Sequence, residues 1–341
     1  MMGNRVNRSR NRNRNRNRNR NRNRQKKKWI ITAGMCFFII CAVIIGIKFI
    51  SERNVNNIQV GINNNENEEE LNSEEGNNSE SVSEEESSEG IEDALDNSNY
   101  LELENDPNAD DATMVAENTK GLLNGTKVYP VRTDGKKVVY LTFDDGPSTT
   151  NTPQILDVLD KYSVKATFFV LGKSLESSEE SKEILKDIAR NGHAIANHSY
   201  SHNYSYLYPN RTMNVDNIVS DMEKSNNLMK EVLGKDFSTR VIRFPGGYWS
   251  WEGRTAMRDK MIEKGYCNID WNALNKDAEG KSKNADELVQ STKESVEVLG
   301  PNADSVVLLM HDTYGKEETV KALPHIIEYL QGQGFEFRTI K

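Results

Sequence analysis

Cysteine is scarce in this 341-residue chain, which holds only Cys36, Cys41 and Cys267. Three cysteines cannot build the disulfide framework that stabilises small secreted scaffolds. Any folded part must therefore be held together by its own apolar core. Cys267 lies in the apolar stretch GYCNIDW, where the simplest interpretation is a small buried residue.

Acidic residues are missing from one block of the chain, and basic residues are scarce in another. Residues 1–28 contain no acid but ten arginines and three lysines, whereas residues 51–120 hold twenty-one acids against Arg53 and Lys120. The net charge of −8 therefore conceals two opposite blocks. The basic block is an Arg-Asn repeat without aromatic residues to stack on bases, so we interpret it as a membrane-topology signal and expect no nucleic acid as partner.

Long apolar runs are also absent, except for residues 29–50, WIITAGMCFFIICAVIIGIKFI. As a helix this run is about 33 Å long, which matches the hydrocarbon core of a bilayer. A cleaved signal peptide is the alternative, but its apolar core would be shorter and would precede a small-residue cleavage site. Bulky Ile39 and Ile40 disfavour a lipid anchor at Cys41. The preceding positive charges predict a single-pass cell-membrane protein with a cytoplasmic N terminus and an extracellular remainder.

Residues 51–126 have too few apolar side chains to form a core and are rich in Asn, Glu and Ser. The sequence predicts a disordered acidic linker with a reach of roughly 50 Å. Four regions follow: a basic cytoplasmic tail (1–28), a transmembrane anchor (29–50), this linker (51–126) and a folded domain (127–341).

The folded domain alternates apolar runs with amphipathic segments. Strands are predicted at residues 138–144, 166–171, 194–197, 241–244, 266–270, 306–311 and 335–340. Helices are predicted at residues 152–162, 181–192, 215–234, 254–265, 285–300 and 319–334. Such alternation indicates an α/β fold with a parallel sheet, and about seven strands favour closure into a (β/α) barrel.

Unusual polar clusters follow five of the predicted strands: TFDDG, NHSYSH, RFPGG, DWNALNKD and LMHD. In barrels of this class the carboxyl ends of parallel strands share one rim, where the chemistry takes place. The clusters are therefore expected to lie close together.

His198 and His202 are four residues apart and, with one carboxylate, would form a metal site of a kind that suits Zn²⁺. Asp144 and Asp145 supply the carboxylates: one can bind the metal, and the other can act as a base. The positive charge of a metal would offset the repulsion between them. Alternatively, Asp-Asp-Gly-Pro is an ordinary solvated turn and the histidines are a surface pair.

Three further residues are candidates on the same rim. Arg243 follows an apolar strand and needs a carboxylate partner, for which Asp144 is the natural choice. His311 can donate a proton to a leaving group, although a lone histidine is more often a hydrogen-bonded core residue. Gly246 lets the backbone approach a ligand, or simply forms a turn.

In this order, TFDDG, HSYSH, RFPGG and LLMHD resemble the motifs of the polysaccharide deacetylases with a NodB homology domain (carbohydrate esterase family 4), over residues 127–341. The resemblance implies a distorted (β/α) barrel and a hydrolase that removes N-acetyl groups from amino sugars with one divalent metal ion. Zn²⁺ is the expected ion, with Co²⁺ or another divalent ion as alternatives.

The resemblance also implies roles for residues. It identifies Asp144 as the catalytic base, Arg243 as the residue that orients it, and His311 as the general acid. The metal ligands that it implies are Asp145, His198 and His202. The Gly246 N–H would bind the oxyanion, although many members carry a tyrosine there, so that a stacking ring is missing.

Two positions depart from the family pattern or match it weakly. Asp277 corresponds to an acid that tunes the site, but Ala278 stands where a tryptophan is usual. Trp271 is a candidate to replace that ring, and Leu309 corresponds to a wall of the acetyl pocket.

A tethered extracellular domain meets the cell wall first, so the expected substrate is N-acetylglucosamine of peptidoglycan. N-acetylmuramic acid, an exopolysaccharide, chitin oligomers and acetylated xylan are alternatives. A catalytically inactive glycan-binding module and a phosphoesterase with two metals are the rival classes. The oligomeric state is open.

Overall fold

A computed structural model describes residues 100–341. The predicted basic tail, the predicted anchor and residues 51–99 of the predicted linker lie outside the described residues. Within the described part, no helix is both long enough and apolar enough to cross a membrane.

The centre of the fold is a sheet of parallel strands. The strands of the described chain are β1 (Ala109–Asp110), β2 (Val138–Asp144), β3 (Thr167–Val170), β4 (Ala194–Asn197), β5 (Val241–Ile242), β6 (Cys267–Asn268), β7 (Ala273–Leu274), β8 (Ser305–His311), β9 (Glu336–Phe337) and β10 (Thr339–Ile340). Seven of them run in the order β6-β5-β4-β3-β2-β8-β7, and β9 also pairs with the start of β2. Strands β1 and β10 form a separate parallel pair.

The sheet is strongly curled. Its two edge strands, β6 and β7, are separated by only four residues, 269–272, which can span at most roughly 17 Å. The edges must therefore lie near each other, as in a barrel that is open along one side. The predicted α/β fold with about seven parallel strands is confirmed.

Most helices cover the outside of this sheet, whereas α1 (Ala112–Leu123) packs against the core inside the barrel. The other helices of the described chain are α2 (Asn151–Lys161), α3 (Gly172–Leu175), α4 (Glu179–Arg190), α5 (Tyr204–Leu207), α6 (Val215–Leu233), α7 (Arg254–Lys264), α8 (Ala285–Val298) and α9 (Glu317–Gly332). Side chains of β2 alternate between two cores because neighbours on a strand point to opposite faces. Val139, Leu141 and Phe143 pack with the outer helices, whereas Val138 and Tyr140 fill the interior of the barrel.

Helix α1 corrects one expectation from the sequence. The sequence predicts a disordered linker through residue 126, yet Ala112 and Val115 of α1 are fully buried in the core inside the barrel. The pairing of β1 with β10 attaches the same segment to the C-terminal strand. Residues 100–126 carry their own apolar side chains, among them Met114 and Leu122, and only the average over residues 51–126 is polar and acidic.

Asp110 of β1 binds two arginines, the buried side chain of Arg132 and the half-buried Arg338. Its carboxylate lies 2.9 Å from Arg132 Nη1 and 2.6 Å from Arg338 Nη1, and it accepts a hydrogen bond from the Tyr140 hydroxyl. Burial raises the pKa of Asp110, but the Tyr140 and Arg132 hydrogen bonds outweigh it and lower the pKa below 3.8. The stabilisation is therefore present at neutral pH and is lost as the pH falls below about 4.

Replacing Asp110 by alanine is expected to lower the free energy of unfolding by about 2 kcal/mol, because Arg132, Arg338 and the Tyr140 hydroxyl lose this acceptor while Arg132 keeps its ion pair with Asp134. Urea unfolding at neutral pH measures the effect. The matched control is Asp259→Ala, which removes an exposed ion pair with Arg258 and should cost less than about 1 kcal/mol. Equal losses in the two variants would show that the buried cluster contributes nothing specific.

Candidate metal and acid–base site

The five polar clusters do meet at one rim of the barrel. Asp144 and His311 are the last residues of β2 and β8 and are partners in the register of these strands. His198 and Arg243 directly follow β4 and β5. Nine of the ten residues singled out from the sequence line one pocket of about 340 Å³: Asp144, Asp145, His198, His202, Gly246, Trp271, Asp277, Leu309 and His311. Arg243 is fully buried behind it.

Asp145, His198 and His202 present their ligand atoms to one point. Asp145 Oδ1 lies 3.5 Å from His198 Nε2 and 3.4 Å from His202 Nε2, and the three ligand atoms are within 4.8 Å of one another. Asp145 Oδ1 is buried and has no hydrogen-bond partner among the described residues. A buried carboxylate oxygen without a donor is costly, and a cation at this point would satisfy it. The residues therefore fit a divalent metal ion.

The protonation state of His198 also suits a metal ligand. Its Nδ1 lies 2.9 Å from the Arg243 carbonyl oxygen, so Nδ1 carries the proton and donates it, while the Nε2 lone pair faces Asp145. Burial lowers the pKa of His198 to about 3. The ring is neutral at pH 7, which is the form that binds metals.

Backbone geometry explains how two adjacent aspartates reach the same pocket. In a regular strand their side chains would point to opposite faces. Asp145 instead has a φ of 72°, in the left-handed region that costs a residue with a side chain about 1–2 kcal/mol. The next residue must be glycine, because a Cβ on Gly146 would lie 2.1 Å from Asp312 Oδ2.

Arg243 holds Asp144 in place. Its Nη1 donates to Asp144 Oδ1 at 2.7 Å and to Thr142 Oγ1 at 3.0 Å, while its Nε donates to the Ile269 carbonyl at 2.8 Å. Burial raises the pKa of Asp144, and the charges of Arg243 and His311 oppose that effect. The carboxylate is thus fixed in orientation and is a stronger base than a solvated aspartate.

His311 and Asp277 form a second buried pair. Asp277 Oδ1 lies 2.8 Å from His311 Nδ1, and Asp277 Oδ2 accepts the His311 backbone N–H and the Thr319 hydroxyl. Burial lowers the pKa of His311, but Asp277 and the negative charges of Asp144 and Asp145 outweigh it and raise the pKa to about 9. In the metal-free protein His311 is therefore protonated at neutral pH and can serve as an acid.

Replacing Asp277 by asparagine is expected to lower the pKa of His311 below about 9, because the hydrogen bond and the charge of Asp277 are the largest effects that oppose burial. An NMR titration of the metal-free protein, which has five histidines, measures this shift. The control is Asp286→Asn, an exposed position in the first turn of α8. An unchanged His311 titration in Asp277→Asn would contradict the pairing.

The remaining predicted residues form the walls. Trp271 and Leu309 line the pocket, and the Trp271 ring would lie 2.8 Å from a Cβ placed on Gly247. A Cβ on Gly246 would lie 3.2 Å from the Tyr204 hydroxyl and 3.1 Å from Trp251. The aromatic side chains of Tyr204 and Trp251 therefore occupy the space next to Gly246.

Two residues near the site were missed by sequence reasoning. Tyr204 lines the pocket beside His202, and its only sequence signal is its position two residues after that histidine. Asp312 is buried behind Gly146 and accepts a hydrogen bond from Thr152. Burial raises the pKa of Asp312 to about 7. The sequence signal for Asp312 is its position directly after His311.

Known proteins are similar to this chain in sequence and in fold. A polysaccharide deacetylase family model matches residues 131–264. The bifunctional xylanase/deacetylase of Pseudobutyrivibrio xylanivorans is 34% identical over 61% of this chain, which spans only 30% of that protein. A peptidoglycan-N-acetylglucosamine deacetylase of Bacillus cereus is 32% identical over 62% of this chain and 72% of that protein. A CE4 esterase structure from Streptococcus mutans has a TM-score of 0.62 at 35% identity, covering 71% of this chain and 99% of the other.

A curled α/β barrel with a two-histidine, one-aspartate set at its rim is the arrangement expected of a metal-dependent enzyme. With the sequence matches, this chain belongs to the polysaccharide deacetylase family of hydrolases.

Proposed function

We propose that this protein is a membrane-anchored, extracellular, zinc-dependent deacetylase that acts on N-acetylglucosamine of peptidoglycan. One observation carries the chemistry: a single pocket holds the Asp145, His198 and His202 ligand set between the buried base Asp144 and the protonated His311. The assignment of roles to these residues is part of the proposal.

A divalent ion held by Asp145, His198 and His202 would polarise the acetamide carbonyl and make a bound water more acidic. Asp144 takes a proton from the water, whose oxygen forms a bond to the carbonyl carbon. The Gly246 N–H donates to the developing oxyanion, a contribution typically worth about 3 kcal/mol. His311 gives its proton to the nitrogen as the carbon–nitrogen bond breaks, and acetate and a free amine leave. Arg243 and Asp277 keep the base and the acid in position.

The choice of zinc rests on the donor set. Two imidazole nitrogens and one carboxylate oxygen, with positions left for water, are typical of catalytic zinc sites. Cobalt and other divalent ions bind the same donors, so the metal bound in the cell is identified by measuring the metal content of the purified protein.

The choice of substrate and location rests on the N-terminal sequence and on the relatives. The apolar run of residues 29–50 behind a basic block favours an exported domain, and cell-wall glycan is the nearest polymer to such a domain. The peptidoglycan-N-acetylglucosamine deacetylase among the relatives supports this sugar. The xylanase/deacetylase relative makes acetylated xylan the substrate to compare.

The test is acetate release by the purified full-length protein from peptidoglycan, chitin oligomers and acetylated xylan. We expect release from peptidoglycan, its loss after treatment with a chelator, and its recovery when Zn²⁺ is added. Release from chitin oligomers alone would retain the chemistry and overturn the substrate, whereas release from xylan alone would show ester hydrolysis and overturn the amide substrate as well. No release from any glycan by the metal-loaded protein would overturn the enzymatic function in favour of glycan binding.

A further inference from the structure

The turn between the two histidine ligands has an unusual backbone. His198 directly follows β4, and the chain then reverses through Ser199, Tyr200 and Ser201 to reach His202. Ser199 has a φ of 73° and His202 a φ of 51°, both in the left-handed region that residues with a side chain adopt only at a cost. The surroundings must supply contacts that hold this conformation.

A carboxylate on helix α6 supplies several of these contacts. Asp221 Oδ2 accepts the N–H groups of Tyr200 and Ser201 at 2.9 Å each and the Ser201 hydroxyl at 3.2 Å. Asp221 is buried, only 6% exposed. A buried carboxylate is costly unless donors compensate it, and the donors that do so here come from the turn.

Further hydrogen bonds complete the support. Asn197 Oδ1 accepts the Ser199 N–H at 2.7 Å, and Ser199 Oγ accepts the His202 N–H at 3.2 Å. Asn197 itself donates to the Met222 carbonyl of α6 at 2.9 Å. Four consecutive amides, from residue 199 to residue 202, thus have side-chain acceptors. Two of the four bind Asp221, at the middle of the turn.

We propose that Asp221 is a positioning residue for the metal site. It acts through the backbone of residues 199–201 and holds His198 and His202 at the separation at which both rings face Asp145. The proposal rests on the proposed function, in which these three residues bind a divalent ion. Helix α6 packs its apolar face into the core through Ile218 and Met222, so it is a rigid support for the turn.

The test measures metal affinity and does not depend on the substrate. Full-length protein is stripped of metal, and the dissociation constant for Zn²⁺ is determined by competition with a chromophoric chelator. We expect Asp221→Ala to weaken binding about 10–100-fold, as loss of a supporting partner of a ligand commonly does. Asp221→Asn keeps one acceptor oxygen and should lie between the alanine variant and the wild type. Asp216→Asn, an exposed position on the same helix, should bind like the wild type.

A second readout separates positioning from general stability. The visible absorption of the Co²⁺-loaded protein reports ligand geometry and should change in Asp221→Ala but not in Asp216→Asn. Wild-type Zn²⁺ affinity together with an unchanged Co²⁺ spectrum in folded Asp221→Ala overturns the proposal. Should Asp221→Ala fail to fold, wild-type affinity in Asp221→Asn overturns it instead. If the wild type itself binds no Zn²⁺, the proposed metal site fails, and the proposal fails with it.

Discussion

Replacing Asp144 by asparagine is expected to lower turnover about 10²–10⁴-fold, the usual contribution of a positioned general base, while Zn²⁺ remains bound. Asn keeps an oxygen that can accept the hydrogen bond from Arg243 Nη1, now 2.7 Å from Asp144 Oδ1, but it cannot take a proton from water. The three proposed metal ligands are untouched. Initial rates of acetate release and metal content per chain, measured on the same preparation, provide the two readouts.

Loss of the Asp144 charge leaves the buried Arg243 guanidinium without its counter-ion, so this variant is also expected to melt at a lower temperature. Rates are therefore compared well below the melting temperature of the variant. Asp157→Asn, at an exposed position of α2, is the control and should retain the wild-type rate. A near-normal rate in Asp144→Asn would show that another group is the base.

Replacing His202 by alanine is expected to remove both the metal and the activity. A catalytic zinc site with three protein ligands loses most of its affinity when one ligand is deleted. His202 is a better choice than His198 for this purpose, because its side chain is 27% exposed against 3% for His198. Folding should therefore be retained, and equilibrium dialysis against Zn²⁺ measures the loss.

The matched control for the second variant is His325→Ala, since His325 is an exposed histidine on α9. It should bind one Zn²⁺ and retain full activity. The two substitutions at the site thus both lower turnover but differ in metal content, which is retained in Asp144→Asn and lost in His202→Ala. If His202→Ala kept a full equivalent of tightly bound Zn²⁺, the ligand set would have to be sought elsewhere on the rim.

The alternation of apolar runs and amphipathic segments was sufficient to predict the class of fold. Strands β2 and β4 begin and end where the sequence places them, because their apolar runs are bounded by polar residues on both sides. The short strand β7 was not predicted. Its two residues form a strand only because they pair with β8, and such pairing is a property of the closed sheet.

The start of the folded unit also could not be located from the sequence. Helix α1 and strand β1 lie at the end of a block, residues 51–126, whose average composition predicts disorder, although α1 itself carries several apolar side chains. They are stabilised by the barrel core and by the ion pairs of Asp110 with Arg132 and Arg338. These partners lie downstream by about 20 and about 230 residues, beyond the reach of any local pattern.

For the site, the residue types and their order along the chain indicated six residues of the pocket, because parallel strands bring their carboxyl ends to one rim: Asp144, Asp145, His198, His202, Gly246 and His311. The family resemblance added Trp271, Asp277 and Leu309. The sequence alone also determined the charge blocks and the apolar run that motivate the proposed membrane location. Tertiary structure alone decided that Asp277 binds His311, that Tyr204 and Trp251 occupy the space beside Gly246, and that Asp221 supports the turn between the histidines. Hydrogen bonds and burial between distant segments determine these features, and they exist only once the barrel has closed.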